Sequence, residues 1–202
     1  MTHRKLVVST GNQHKLEEIR RILKALPIEV LSKKDIGLNN VKVIEDGKTL
    51  EENSLKKAKA LAEKTEYMVL ADDSGLFVDI LGGQPGVFSS RYGGEEGNDK
   101  KNNIKLLQEL GNIPMNKRTA KFITIMVLIT EDKESIIVRG ECKGLIGIEA
   151  VGYNGFGYDP LFIPEGYNKT FAELGQDVKN KISHRARALK NLRDKISGLL
   201  GE

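Results

Sequence analysis

Met68-Val69-Leu70-Ala71-Asp72-Asp73-Ser74-Gly75 decides how this chain is read. The apolar run Met68 to Ala71 reads as a strand buried on both faces, which belongs in a parallel or mixed sheet covered by helices. It leads straight into two carboxylates, and ligands of open α/β sheets bind beyond the carboxyl ends of strands. Asp72 and Asp73, side by side, repel one another and call for a cation. Oxygen ligands of this kind suit Mg²⁺, which a triphosphate would bring with it. A solvated acidic turn is the plain alternative.

The pattern on either side agrees. Leu6 to Ser9 reads as a short buried strand, broken by Gly11-Asn12. From His14 to Leu26, Leu16, Ile19, Ile22, Leu23 and Leu26 fall at helical spacing until Pro27 stops them. Ile28 to Leu31 reads as a strand, and Thr49 starts a helix through about Lys64. Gly82-Gly83 and Pro85-Gly86 mark turns, and Asn98 to Leu110 reads as a helix. Thr119–Thr130 and Glu134–Gly147 read as a hairpin around Glu131-Asp132-Lys133. Ser183 opens a last helix with Ala186, Leu189, Ile196 and Leu200 facing inward. Strands interleaved with helices give an α/β architecture, and the hairpin makes its sheet mixed. No repeat or linker divides residues 1–202, so a single domain is expected.

Composition bounds the function without choosing it. The 202 residues are 39% hydrophobic and 30% charged, ordinary for a soluble globular protein. The net charge of +4 suits an anionic small substrate as well as a nucleic acid. Aromatics at 5% with no Trp give no stacking platform for long single strands, so no nucleic-acid partner is expected. Cys142, the only cysteine, reads as a half-buried structural thiol compatible with a reducing compartment. The N-terminus has no apolar run resembling a signal peptide, and no stretch approaches the ~20 residues of a spanning helix. A cytoplasmic protein with no membrane partner is expected.

Four further segments carry chemistry. Thr10-Gly11-Asn12-Gln13-His14-Lys15 joins a strand to a helix, whose free N–H groups and dipole favour a phosphate. Lys15 in the first turn opposes that dipole unless an anion is present, although an ordinary turn would read the same way. The Walker spacing is missing. Gly152-Tyr153-Asn154-Gly155-Phe156-Gly157-Tyr158-Asp159-Pro160 alternates glycines with aromatics. It is either a turn with a buried aromatic plug or a loop whose backbone approaches a flat ligand under a covering ring. Lys179, His184 and Arg185 gather near the Ser183 N-cap, against the helix dipole, so an anionic or acceptor-rich group would compensate them unless they form a solvated patch. Glu45, at an expected strand end, and Glu52, in a first helical turn, are further candidate metal ligands. Arg91 either clamps phosphate or supports the acidic turn.

Taken in order, Thr10-Gly11-Asn12 with Lys15, Glu51-Glu52-Asn53, Ala71 through Leu76, Gly82-Gly83 with Pro85-Gly86, Ser89-Ser90-Arg91-Tyr92, Gly155 through Pro160 and Ser183-His184-Arg185 resemble the inosine triphosphate pyrophosphatase, or Ham1-like, family of house-cleaning nucleotide hydrolases. The resemblance covers almost the whole chain. It implies an elongated mixed β-sheet flanked by helices, with two lobes around a central active-site cleft, and a homodimer. It also implies Mg²⁺-dependent hydrolysis of ITP, dITP and XTP to the monophosphate and pyrophosphate. By position, Thr10, Gly11, Asn12, Gln13, His14 and Lys15 would hold phosphate. Asp73 would be general base and metal ligand, and Ser74 would touch substrate. Phe156, Gly157, Tyr158, Asp159, Lys179, His184 and Arg185 would line the nucleotide, mainly its base. Some members carry two acidic residues where this chain has Ile44-Glu45, so the metal role there falls to Glu45 or is absent. A backbone N–H of the Phe156–Asp159 loop is expected to reject the guanine 2-amino group. The other readings are a pyrimidine or modified-nucleotide pyrophosphatase of the related Maf type and a non-catalytic nucleotide-binding protein.

Overall fold

In the computed structural model residues 4–200 are described, apart from the side chain of Leu200. Alternation of apolar side chains builds the strands. β1 (Arg4–Val8) pairs in parallel with β2 (Ile28–Ser32) and with β3 (Met68–Val78), with Leu6 opposite Val30 and Met68. β3 pairs antiparallel with the short β4 (Pro85–Gly86). β5 (Thr119–Ile129) and β6 (Ser135–Ile146) form the expected hairpin, closed by the Thr130 N–H donating to Glu134 O at 2.9 Å. β6 pairs antiparallel with β7 (Phe162–Pro164). The strand order is β2-β1-β3-β5-β6-β7, with β4 beside β3, so the sheet is mixed as its pattern implied. The helices are α1 (Gln13–Leu23), α2 (Leu50–Ala62), α3 (Asp99–Leu110), α4 (Phe171–Ile182) and α5 (His184–Leu200).

The chain divides into two compact units. The first comprises residues up to 73, 124–140 and from 187. Strand periodicity sorts its core into two layers. Leu6, Val8, Met68, Leu70, Met126 and Leu128 point to one side and pack with Leu16, Ile19 and Leu23 of α1 and Leu189, Leu192 and Ile196 of α5. Val7, Val69, Ala71, Val127 and Ile129 point to the other and pack with Ala58, Leu61 and Ala62 of α2.

Helix α2 is tied at both ends. Thr49 accepts from the Glu52 N–H at its start, and Glu52 Oε2 accepts from the Lys48 N–H at 2.7 Å. At its far end Lys133, at φ 65° in the hairpin turn, donates from Nζ to Ala62 O and Thr65 O at 3.0 and 2.9 Å. Between them Ser54 Oγ reaches the carbonyls of Ala71 and Ile125 at 3.0 and 3.2 Å.

The second unit comprises residues 74–123 and 141–186. Its core packs Phe162 against a tilted Phe122 and stacks it on Phe171, with centroids 4.7 and 5.3 Å apart, beside Leu76, Leu106, Leu110, Ile146 and Tyr158. Cys142 is fully buried there rather than half-buried. Arg118, also buried, donates to three carbonyls, Gly111, Ile113 and Gly147, at 2.8, 2.8 and 2.9 Å.

Three sequence expectations need correction. β3 does not end at Ala71 but continues to Val78, so Asp72, Asp73 and Ser74 lie inside a strand rather than in a turn beyond it. The side chains of Asp72 and Asp73 are buried among partners that a propensity reading cannot see. Glu45 lies in a segment without regular structure, not at a strand end. Helix α4 was not expected at all. Gly175, at φ 76° and ψ 173°, interrupts its pattern, while the Thr170–Glu173 capping box is the signal that announces it. Of the inward-facing residues expected in α5, Leu200 has its side chain outside the described residues. Phe162→Ala should lower stability by about 3–5 kcal/mol, read as a fall in the urea midpoint.

Candidate functional site

In the first unit the geometry follows from the alternation along β3. Asp72 and Asp73 are adjacent, so they point to opposite faces. Asp72 continues the Met68–Leu70 row toward α1, where its Oδ2 lies 2.9 Å from Lys15 Nζ. Asp73 continues the Val69–Ala71 row toward α2. There Oδ2 accepts from Asn53 Nδ2 at 3.1 Å and Oδ1 lies 3.3 Å from Lys57 Nζ. The same ammonium is 2.9 Å from Glu45 Oε2. The two carboxylates are therefore not a repelling pair awaiting one cation, because each has its own lysine. Burial raises the pKa of Asp73; Lys57 and Lys15 pull it down, Glu45 pushes it up, and the net shift is upward. Burial alone would lower Lys57, but Asp73, Asp72 and Glu45 outweigh it and leave that ammonium raised and charged.

The Thr10–Lys15 segment is built as a helix start. Thr10 Oγ1 accepts from the Asn12 N–H at 3.1 Å, and Asn12 Oδ1 caps the helix by accepting from the Lys15 N–H at 3.2 Å. Gly11, Gln13 and His14 are exposed.

Among the described residues no three His, Cys, Asp or Glu side chains converge as a metal cage. What converges is Asp73 and Glu45 around Lys57. Two all-oxygen ligands fit Mg²⁺, which keeps waters and takes the rest of its shell from phosphate rather than from a protein cage. Glu52 is engaged by the Lys48 backbone.

In the second unit the Gly-rich loop is tightly wired. Asp159 is buried and its Oδ2 accepts from the Phe156 N–H at 2.9 Å and from Lys179 Nζ at 2.5 Å. Gly155, at φ +83°, has no room for a side chain, since a Cβ would meet Asp159 Oδ2. Lys179 Nζ stands 4.1 Å from the Phe156 ring centroid and Arg185 Cζ 5.7 Å from it. Arg185 Nη2 donates to Ser74 Oγ at 3.3 Å, and His184 stacks on Phe122 at 4.8 Å. Tyr158 is the buried plug: its hydroxyl donates to Ser89 O at 2.8 Å, and burial pushes its pKa up, so the phenol stays protonated. The loop thus contains the buried plug of the first reading, Tyr158, and beside it a half-buried Phe156.

The solvated-patch alternative fails, because Lys179, His184 and Arg185 are all buried. Lys179 sits in the last turn of α4, the end of a helix that favours a cation, rather than in a loop before α5. The N–H groups of Phe156, Gly157 and Asp159 already donate to Asp159 Oδ2, Asp99 Oδ2 and Phe156 O. Those three are therefore engaged within the protein rather than held toward a guanine amine. Arg91 lies 3.6 Å from Glu96 and over the Phe88 ring.

Sequence reasoning missed Lys57 and Asn53 as neighbours of Asp73, and Asp99 and Asn103 as supports of Gly157. Asn53 and Lys57 lie four positions apart on α2, on the face that carries Ser54, Ala58 and Leu61. Polar residues on an otherwise inward face are the signal that was available.

A mixed α/β protein whose two units each carry buried lysine–carboxylate pairs is the class that fold and geometry define. Within that class the chain belongs to the Ham1 family, whose model matches residues 6–195. It is 47% identical to a dITP/XTP pyrophosphatase of Clostridium perfringens, covering 98% of this chain and 99% of that one. It is 48% identical to a protein of the same name from Clostridium tetani, covering 96% and 97%. Its fold matches the Staphylococcus aureus Ham1 protein with a TM-score of 0.86 and 36% identity, over 96% of this chain and 99% of that one.

Lys179→Met should strand the Asp159 carboxylate in a buried site and cost about 3–5 kcal/mol, measured by denaturant unfolding.

Proposed function

We propose that this protein hydrolyses non-standard purine nucleoside triphosphates (dITP, ITP and XTP) to the monophosphate and pyrophosphate, and so cleanses the nucleotide pool. One observation carries the reading: Asp73 is a buried carboxylate with a raised pKa, held in place by Asn53 and Lys57. That is how a fold prepares a general base. The names of the relatives matched along the chain's length favour this reading over the pyrimidine-directed and non-catalytic ones.

In the proposed reaction a water oxygen attacks the α-phosphorus while Asp73 takes its proton. The bond from phosphorus to the bridging oxygen breaks, and pyrophosphate leaves. Thr10–Lys15, Asp73 and Glu45 are the groups for this end of the substrate. The Thr10–Lys15 segment offers helix N–H groups and a lysine to the phosphates. Asp73 and Glu45 would hold Mg²⁺, which when bound supplies charge neutralisation for the polyphosphate.

A separate set of residues supplies the groups for the base. Phe156 offers a ring face, and Ser74, Gly157, Tyr158, Asp159 and His184 complete its surroundings. Lys179 and Arg185 carry only donors. These groups donate to a purine 6-carbonyl and oppose the adenine 6-amino group, a polar mismatch that discriminates on the order of 10⁴-fold in favourable cases.

The whole chain acts as one catalytic domain in this reading, since the family match runs through both units. It also takes the protein as a cytoplasmic homodimer acting on a small molecule, without a nucleic-acid or membrane partner. No described helix is long and apolar enough to cross a membrane. Exposed apolar side chains such as Phe88 and Ile148 are surface that a second copy would cover.

Incubation with ITP, GTP, ATP and dTTP, with Mg²⁺ or EDTA, should give IMP and pyrophosphate from ITP alone and only with the metal. IDP with orthophosphate would overturn attack at the α-phosphorus. Asp73→Asn should lower kcat by about 10²–10⁴-fold; near wild-type turnover would remove Asp73 from its role.

A further inference from the structure

Gly157 is held from both sides by one helix. Its N–H donates to Asp99 Oδ2 at 2.6 Å, and its carbonyl accepts from Asn103 Nδ2 at 2.9 Å. Asp99 and Asn103 are four positions apart in the first turns of α3, and so share one face of it. Gly157 stands at φ +63°, a conformation that glycine adopts without strain.

Phe156 lies between two tethered amides. Its own N–H is taken by Asp159 Oδ2, and the next N–H along the chain is taken by Asp99. With both neighbouring peptide planes fixed, the backbone of Phe156 has little freedom left, and the direction in which its side chain leaves the chain is set. The ring in turn stands under Lys179 and Arg185. The bond to Asp99 is charge-assisted, the stronger kind. Asn103 Oδ1 is buried without a hydrogen-bond partner, a cost that a side chain present only for packing would not carry.

We propose that Asp99 and Asn103 are positioning residues for substrate choice: by fixing the Gly157 peptide they place the Phe156 ring against the purine, and so set discrimination between purine triphosphates from α3. The inference rests on the purine-triphosphate reading above. A residue that orients a recognition surface acts on binding and selectivity, whereas one that merely stabilises a helix acts on melting alone. Asp99 also sits where a carboxylate favours the helix dipole, so the two roles must be separated. Asn at position 99 keeps an acceptor for the Gly157 N–H but loses the charge, whereas Ala loses both.

The test measures kcat and KM for ITP and GTP, and melting temperature, for the wild type, Asp99→Ala, Asp99→Asn and Asn103→Ala. Loss of one such hydrogen bond corresponds to about a tenfold change. Asp99→Ala and Asn103→Ala should each raise KM for ITP about tenfold with kcat within about threefold, and lower the ITP-over-GTP ratio of kcat/KM by a similar factor. Asp99→Asn, which keeps an acceptor but not the charge, should fall between the wild type and Asp99→Ala in KM and in that ratio. Alanine variants that melt earlier yet keep KM and the ratio would overturn the proposal. So would an Asp99→Asn variant that loses selectivity as fully as Asp99→Ala. If Asp99→Ala does not fold, Asn103→Ala decides alone, since it removes the other tether of the same residue. A wild type that leaves ITP intact would sink the activity reading itself, and the positioning role with it; the wild-type measurement therefore separates the two failures.

Discussion

The arrangement of this protein depends on the two-residue period of one strand. β3 carries Asp72 and Asp73 in succession, and a strand must send successive side chains to opposite faces. The first carboxylate therefore meets Lys15 at the start of α1, and the second meets Asn53 and Lys57 on α2. Had these residues stood in a turn, nothing would have separated them or kept them from solvent. In the strand each is desolvated, and desolvation is what makes the lysines obligatory. The same desolvation lifts Asp73 above an ordinary carboxylate, against the pull of Lys57 and Lys15.

The second unit solves a related problem with one acid. Asp159 Oδ2 binds the Phe156 N–H and Lys179 Nζ together, so the group that neutralises the lysine also shapes the loop. Lys179 then reaches the Phe156 ring as a cation already paired, and Arg185 approaches the same ring while holding Ser74. The glycines here are dictated by space and backbone angle: a Cβ at Gly155 would occupy the place of the Asp159 carboxylate. The alternation of small and aromatic residues is thus the imprint of a buried acid.

Much of this was legible in the sequence. Apolar periodicity placed α1, α2, α3, β5 and β6, and Thr49, Asn98 and Ser183 announced helix starts through capping chemistry that needs no tertiary context. The motif residues around Asp73 and Phe156 stood out because acids after an apolar run and glycines between aromatics are costly without a reason. What was hidden depended on contacts. Asp72, Asp73, Ser74 and Gly75 have poor strand propensity, and only their buried partners make them strand. Lys57 and Lys179 look like any solvated lysine until the carboxylates opposite them are known. Glu45 was singled out on its charge, but its segment has no periodicity from which a place could be read. Gly175 concealed α4 because an interrupted helix reads as loop.

Helix α2 resembles a shaft fixed in two bearings. Thr49 and Glu52 hold its first turn, and Lys133 grips the carbonyls that follow its last. Such a mounting resists torsion above all. Turning the shaft by one residue's worth, about 100°, would swing Asn53 and Lys57 off Asp73 together, since both ride on the same generatrix. The hairpin turn at Lys133 and the loop at Lys48, both on the surface, thereby bear on the angular setting of Asn53 and Lys57 against a buried carboxylate.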